Sequence, residues 1–256
     1  MVKDMCKKFI VFDIDGTLLT TEMKFLDSTK QALISLKEKG HEIVIATGRD
    51  FTSAKSIVDE IEVDTYVLCN GSAGYVRHEL AHEVTLSKKS IMKLINIATE
   101  NNDQIVFQSS NGLKRHFEVT GESLTKAYES LGWSIPDFDE MYWEQNSIIQ
   151  AMLFCKPEDL QKYDINEFRY VSWHNKFGLD VIPKEGSKAN TILKIAEENG
   201  FKREDIIFFG DGMNDIELME LSGIGVAMGN AENEVKEKAD LITDSCNEHG
   251  ILISIY

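Results

Sequence analysis

Side chains that could perform acid, metal or phosphate chemistry gather at four places in this 256-residue sequence. The first stretch is DIDGT at 13–17, directly after the apolar run FIVF, and the second is ATGR at 46–49. The third is GSK at 186–188, where a predicted helix starts, and the fourth is GDGMND at 210–215. Ligands collect at the carboxyl ends of the strands of an open parallel sheet, and all four stretches fall there in the predicted fold.

The chemistry of these stretches follows from their charges. Asp13, Asp15, Asp211 and Asp215 would repel one another in a half-buried cleft. Mg²⁺ relieves such repulsion, because it binds a few carboxylate oxygens and keeps its other positions for water or phosphate oxygens. Thr47, Lys188 and backbone amides supply donors and positive charge for a phosphoryl group. Acids for a metal together with donors for phosphate indicate phosphoryl transfer.

Alternating apolar runs and amphipathic segments predict the scaffold for these residues. Strands are expected at 8–12, 42–48 and 65–71, with helices at 28–40, capped by Ser28 or Asp27, and at 51–61. The same alternation returns after residue 186, with strands in DIIFFGDG, GIGVAMG and DLIT. Strands separated by such helices indicate βαβ units and a parallel sheet.

The middle of the chain follows a different pattern. A helix at 86–101 precedes two strand-like runs, DQIVFQSS and GLKRHFEV, joined by a predicted turn at Asn111-Gly112. A further helix near 121–131 and the runs SIIQAMLFCK, EFRYVSWH and GLDVIP follow. We interpret residues 82–183 as an α+β insert and residues 1–81 and 184–256 as one discontinuous α/β domain.

Composition limits the classes of partner. The formal net charge is −16, which argues against nucleic acid or an anionic membrane as the main partner. Cys6, Cys69, Cys155 and Cys246 are widely spaced, as expected of reduced thiols. The N-terminal apolar run is too short for a signal peptide, and no run has the length of a membrane span. A cytoplasmic protein is therefore expected.

These motifs together resemble the haloacid dehalogenase superfamily of phosphatases, in particular its Cof-type subfamily with a class IIB cap. DIDGT resembles motif one, Thr47 in ATGR resembles motif two, Lys188 in SKA resembles motif three, and GDGMND resembles motif four. The resemblance implies an α/β fold, a Rossmann-like doubly wound parallel sheet core with an inserted α+β cap domain. It also implies Mg²⁺ as the cofactor and a small phosphorylated metabolite as the substrate.

The resemblance also gives roles to individual residues. Asp13 would be the nucleophile that forms an aspartyl-phosphate, and Asp15 the general acid and base. Lys188 would balance the negative charge on Asp13 and on the phosphoryl oxygens. The implied metal set is Asp13, Asp15 through its carbonyl, Asp211 and Asp215. The implied phosphate-binding set is Thr47, Gly48, Lys188 and Asn214.

Several residues keep two interpretations at this stage. Asn70 and Gly71 form either a plain turn or a substrate contact. Arg49 binds phosphate or caps a neighbouring element. Trp173 and His174 in the insert are possible substrate contacts, or else a packed aromatic residue and a surface histidine.

The leading function is a Mg²⁺-dependent phosphatase acting on small phosphorylated metabolites, with sugar phosphates favoured. A phosphomutase with similar motifs is the nearest alternative, and a non-catalytic phosphosugar sensor is an alternative of another class. The sequence leaves the substrate and the oligomeric state open.

Overall fold

The structure is a computed structural model that describes residues 7–163, 166–173 and 178–254. The chain divides into two compact units. The first contains the described residues of Met1–Arg49, Ser53–His82 and Ser187–Tyr256, and the second those of Asp50–Thr52 and Glu83–Gly186. The junctions lie within three residues of the expected insert limits, 82 and 183, although the short segment at 50–52 groups with the second unit.

The strands and helices of the described residues follow the sequence pattern closely. The strands are β1 (Phe9–Phe12), β2 (Glu42–Ala46), β3 (Tyr66–Leu68), β4 (Ala73–Val76), β5 (Glu79–Glu83), β6 (Gln104–Ser109), β7 (Gly112–Arg115), β8 (Gln150–Phe154), β9 (Phe168–Ser172), β10 (Leu179–Pro183), β11 (Ile206–Gly210), β12 (Ile224–Ala227) and β13 (Leu241–Ile242). The helices are α1 (Asp27–Glu38), α2 (Phe51–Glu60), α3 (Lys88–Asn101), α4 (Glu122–Leu131), α5 (Tyr142–Gln145), α6 (Lys188–Glu198), α7 (Ile216–Leu221), α8 (Asn233–Lys236) and α9 (Gly250–Ser254).

The first unit is built on a sheet with the order β13-β12-β11-β1-β2-β3-β4-β5. The strands from β13 to β3 pair in parallel, and β4 pairs with β3 in the antiparallel direction. All four residues of β1 are buried, as expected for a central parallel strand covered on both faces. The predicted α/β fold with a parallel sheet core is confirmed.

The register of the central strands determines where their ends lie. Phe12 stands level with Ile45 on one side and with Phe209 on the other. The residues that follow these three positions therefore leave the sheet at one edge. Asp13, Thr47 and Asp211 come from three neighbouring strands at this edge.

The second unit has its own antiparallel sheet, with the order β7-β6-β8-β10-β9. One face packs against α3 through Ile91, Leu94, Ile105 and Leu153, among others. The other face packs against α4 through Leu124, Tyr128, Val106 and Met152. Each unit thus has a hydrophobic cluster of its own. Within the ranges that the structure describes, no helix has both the length and the apolar character needed to cross a membrane.

Two local expectations are corrected by the structure. The N-cap of α1 is Leu26, and neither Asp27 nor Ser28 caps the helix with its side chain. Ser109 pairs with Gly112, so the two-residue turn of the β6–β7 hairpin is Ser110-Asn111, one position before the expected pair.

The strands β4 and β5 were not anticipated. They extend the sheet past β3 with an antiparallel pairing, and every residue of β5 is at least partly exposed. Its sequence, ELAHE, does not alternate between apolar and polar residues. The period-two pattern that predicts a half-buried strand is therefore absent.

Candidate active site

Lys188 joins two of the predicted acidic residues. Its Nζ donates to Asp13 Oδ1 at 2.8 Å and to Asp215 Oδ1 at 2.7 Å. Ser187 caps α6 by accepting a hydrogen bond from the amide of Asn190, which fixes the first residue of the helix. The Lys188 side chain is 1% exposed, so the ammonium group is held between these carboxylates and away from solvent.

The turn after β11 is organised by Asp215. Its Oδ2 accepts hydrogen bonds from the amides of Asp211 and Gly212, at 3.1 and 3.0 Å. A Cβ at Gly210 would lie 2.6 Å from this same oxygen, so the backbone passes too close for a side chain there. Because both oxygens of Asp215 are engaged by Lys188 and by backbone amides, its role in the structure is to hold the loop that presents Asp211.

Asp211 is held by side chains from the first and last parts of the chain. Thr17 Oγ1 donates to Asp211 Oδ1 at 3.4 Å, and Asn230 Nδ2 donates to Asp211 Oδ2 at 3.1 Å. The same Asn230 amide nitrogen also donates to the carbonyl of Gly16 at 2.9 Å. Asn230 was not among the predicted site residues. It follows the end of β12 in the same sheet, and this position is the signal that would have located it.

Asn70 and Gly71 lie in a strained loop at the same edge. Cys69, Asn70 and Gly71 have φ values of 50°, 54° and 99°, and consecutive left-handed residues of this kind are costly for side chains other than glycine. Asn70 Oδ1 accepts a hydrogen bond from Asn214 Nδ2 at 2.9 Å. A Cβ at Gly71 would collide with the backbone of Ser187. This loop therefore packs on the start of α6 and on the GDGMND turn, rather than forming an isolated turn.

Thr47 and Gly48 occupy the end of β2. Thr47 is 1% exposed, its amide donates to the Val67 carbonyl at 2.9 Å, and its carbonyl accepts from the Asn70 amide at 3.1 Å. A Cβ at Gly48 would approach the Asn70 side-chain amide at 3.0 Å. The predicted phosphate-binding residues of motif two are thus next to the Asn70 loop.

Asp15 is paired with Arg49, a contact that neither interpretation of Arg49 anticipated. Arg49 Nε donates to Asp15 Oδ2 at 2.8 Å, and Nη2 donates to Asp15 Oδ1 at 2.6 Å. The guanidinium therefore binds the carboxylate with two parallel hydrogen bonds. Nη1 donates to the carbonyl of Ser53 in the neighbouring helix α2 at 3.0 Å, and binding of phosphate by Arg49 stays a prediction.

The remaining predicted contacts lie in the second unit or outside the described residues. Trp173 packs edge-on against Phe154 and Trp133, and its Nε1 donates to Asp180 Oδ1 at 2.8 Å. It is a packed aromatic residue with a polar partner, and its predicted contact with substrate stays a prediction. His174 lies outside the described residues.

The charges of the site do not balance within the protein. Burial raises the pKa of Asp13 well above its usual value, with Lys188 opposing and Asp215 and Asp211 adding to the shift. Burial, followed by the charge of Asp215, raises the pKa of Asp211 to about 7. For Lys188, burial alone would lower the pKa, but Asp13 and Asp215 outweigh burial and raise it, so the lysine stays charged.

This excess of negative charge fits a divalent cation. Carboxylate oxygens of Asp13, Asp211 and Asp215 lie within 4.8 Å of one another. With Asp15 counted as well and all four carboxyl groups ionised, they face two cations, Lys188 and Arg49, which leaves a formal excess of two negative charges. A cluster of oxygen ligands with an excess of negative charge is what a hard divalent cation such as Mg²⁺ requires.

The comparison with protein families decides the classification. The family described as haloacid dehalogenase-like hydrolase matches residues 10–255. The chain belongs to this family. This result confirms the resemblance to the haloacid dehalogenase superfamily that the sequence motifs indicated.

Individual relatives match along nearly the whole chain. The Bacillus subtilis protein YkrA is 33% identical over 252 residues, covering 98% of this chain and 97% of its own. The Escherichia coli pyridoxal phosphate phosphatase YbhA is 26% identical over 270 residues, covering 98% of both chains. The solved structure of BT4131, described as a haloacid dehalogenase subclass IIB sugar phosphatase, superposes with a TM-score of 0.86 at 28% identity, covering 97% of this chain and 98% of that one. The predicted enzyme class, a phosphatase of this superfamily, is confirmed.

We expect this haloacid dehalogenase-like protein, when free of metal, to lose thermal stability as the pH rises from about 5 to about 8. Asp211 has a pKa of about 7 in the folded state, whereas an aspartate in an unfolded chain titrates near about 3.9. Between these values the folded state binds more protons than the unfolded chain, so the free energy of unfolding falls as the pH rises. The loss should be of the order of 2 to 4 kcal/mol, and the raised pKa of Asp13 adds in the same direction.

Melting temperatures recorded in EDTA across this pH range test the expectation. Asp211→Asn removes the titrating group and should flatten the slope. A metal-free wild-type protein that is as stable at the upper end of the range as at the lower end would contradict the charge imbalance described above.

Proposed function

We propose that this protein is a Mg²⁺-dependent phosphatase that hydrolyses small phosphorylated metabolites, with sugar phosphates as the preferred class, through an aspartyl-phosphate on Asp13. The observation that carries the proposal is the Lys188 ammonium, shared at 2.8 and 2.7 Å between Asp13 and Asp215. It is one buried cation among several carboxylates, at the strand ends where Thr47 and Asn214 also lie.

In the first half of the reaction, an Asp13 oxygen forms a bond to phosphorus and the bond from phosphorus to the leaving oxygen breaks. Asp15, carrying a proton, transfers it to the departing alkoxide. A carboxylate is a weak nucleophile, so the rate depends on alignment and on cancelling charge. Lys188 supports both, since it fixes Asp13 and offsets the negative charge of the transferred group.

In the second half, water attacks the phosphorus of the aspartyl-phosphate and gives its proton to Asp15, while the bond between phosphorus and Asp13 breaks. Inorganic phosphate is released and Asp15 regains its starting proton. Thr47, Gly48 and Asn214 are the proposed donors to the phosphoryl oxygens.

We assign the metal to Asp13, the carbonyl of Asp15 and Asp211, with Asp215 and Asn214 orienting water and phosphate around it. When bound, Mg²⁺ would neutralise phosphoryl charge that Lys188 alone leaves unbalanced.

The proposed substrate class rests on the activities for which relatives are named and on the proposed role of the second unit as a cap domain. BT4131 is described as a sugar phosphatase, whereas YbhA is named for pyridoxal phosphate, so members with one fold act on different leaving groups. We propose residues 1–81 and 184–256 as the catalytic core and residues 82–183 as the cap domain that selects the leaving group. Trp173, His174, Asn70 and Gly71 remain proposed substrate contacts.

The function itself is tested by phosphate release from a panel of phosphorylated metabolites in the presence of Mg²⁺. The panel contains hexose and pentose phosphates, pyridoxal 5′-phosphate and p-nitrophenyl phosphate. Release of inorganic phosphate from sugar phosphates supports the proposal. Isomerised sugar phosphate without free phosphate would identify a phosphomutase, and binding without turnover would identify a sensor.

We also propose a reducing compartment such as the cytoplasm. Among the described residues, Cys155 and Cys246 form no disulfide, as expected where glutathione keeps thiols reduced.

A further inference from the structure

The carboxylate of Asp15 is held in a fixed orientation by a single side chain. Both of its oxygens accept hydrogen bonds from the Arg49 guanidinium, at 2.8 Å from Nε and 2.6 Å from Nη2. The Asp15 side chain is 36% exposed and that of Arg49 is 13% exposed. A carboxylate oxygen has about two acceptor sites, so the edge facing away from Arg49 remains available to a ligand.

Arg49 is itself held at its backbone and at its far end. Its amide donates to Thr47 Oγ1 at 3.2 Å, and its carbonyl accepts from the Cys69 amide at 3.0 Å. The remaining terminal nitrogen, Nη1, donates to the carbonyl of Ser53 at 3.0 Å. Arg49 is therefore a rigid link from the ends of β2 and β3 to the loop after β1.

Asp15 needs such a link because of its position. It lies three residues past the end of β1, in a loop that contains Gly16 with a positive φ of 76°. A carboxylate that transfers a proton must stand within hydrogen-bond distance of the reacting oxygen, and a displacement of about 1 Å can cost about a hundredfold in rate.

We propose that Arg49 is a positioning residue that acts through Asp15, fixing the carboxyl group that gives its proton to the leaving group. This inference rests on the proposed phosphatase function. The planar fork of arginine matches both oxygens of a carboxylate, whereas the ammonium group of lysine offers a point charge and cannot reproduce the pair of parallel bonds. The charge of Arg49 alone is therefore not sufficient.

The test measures kcat/KM for two kinds of substrate in Arg49→Gln and Arg49→Lys. This parameter reports the steps up to phosphoryl transfer to Asp13. An alkyl phosphate such as a sugar phosphate needs a proton on its leaving oxygen, so its kcat/KM should fall by about 10- to 100-fold in both variants. p-Nitrophenyl phosphate leaves without protonation, so its kcat/KM should change by less than about threefold. Arg203→Gln, which removes another arginine of the same unit that bonds a carbonyl, is the matched control.

A double-mutant cycle with Asp15→Asn shows whether Arg49 acts through Asp15. If it does, adding Arg49→Gln to Asp15→Asn causes no further loss with the alkyl phosphate. Additive losses, or a weaker inhibition by inorganic phosphate in Arg49→Gln, would mean that Arg49 binds the phosphoryl group directly, and the inference would be wrong. Thermal melting confirms that each variant is folded, and Arg49→Lys, which keeps the charge, carries the test if Arg49→Gln does not fold.

Failure of the proposed function has a different signature. A wild-type protein that releases no phosphate from any member of the panel overturns the phosphatase proposal, and the role of Arg49 with it. If the wild-type enzyme is active and its Arg49 variants lose kcat/KM for both substrates in equal proportion, only the inference about Arg49 is overturned.

Discussion

Asp13→Asn is expected to lower turnover of every phosphorylated substrate by at least about a thousandfold while the fold is retained. The amide of asparagine is a far weaker nucleophile than a carboxylate, so the proposed aspartyl-phosphate cannot form. Lys188 keeps its second partner, Asp215, at 2.7 Å, which leaves the buried ammonium paired. The raised pKa of Asp13 shows that its negative charge is unfavourable where it lies, so a neutral amide should not destabilise the protein.

The measurement is steady-state phosphate release by wild type and Asp13→Asn, with melting temperatures for both. Asp27→Asn, at an exposed position in α1, is a matched control that should retain full activity. Pure Asp13→Asn protein that kept more than about one per cent of wild-type turnover would mean that another group attacks phosphorus.

Removal of metal is expected to abolish activity, and Mg²⁺ is expected to restore it. With its four carboxyl groups ionised, the site has a formal excess of two negative charges over Lys188 and Arg49, and a phosphoryl substrate adds more. Without a cation this charge opposes the approach of the substrate to Asp13. Ca²⁺ should inhibit rather than activate, because it takes more ligands at longer distances and misplaces the nucleophile.

This expectation is checked by dialysis against EDTA, followed by titration with Mg²⁺ or Ca²⁺ and assay of phosphate release. Asp211→Asn should raise the Mg²⁺ concentration required for half-maximal activity, and calorimetric titration of the same variant gives a readout that does not depend on turnover. Full activity of the metal-free wild type would refute the metal assignment.

Much of the site could be predicted from the sequence because each motif follows a strand. FIVF is apolar without alternation, as a buried parallel strand should be, and the acids that follow it can only lie at the strand's carboxyl end. The parallel register then brings Thr47 and Asp211 to the same edge as Asp13. Local pattern and a general rule of sheet topology were sufficient for these positions.

The contacts between side chains could not be predicted in the same way. Arg49 was visible in ATGR, but its partner Asp15 is 34 residues away, and only the fold determines that the two side chains meet. Asn230 bonds the Gly16 carbonyl across 214 residues; its position after β12 indicates the edge of the sheet at which it lies, but not its partner. The strands β4 and β5 were missed. The sequence of β5 is charged and exposed, so the pairing of this strand depends on the neighbouring strand rather than on burial.

The strand order has a consequence for how the chain is made. β1 ends at residue 12, but one of its two neighbours, β11, begins only at residue 206. Apart from residues 50–52, the whole second unit is synthesised in between. During that interval the nascent chain carries β1 with one hydrogen-bonding edge unpaired, and an apolar strand with an open edge is a site for wrong pairing. The edge closes only when β11 is available for pairing, and this non-local contact must also form during refolding, so slow refolding and a dependence on protein concentration are expected in vitro.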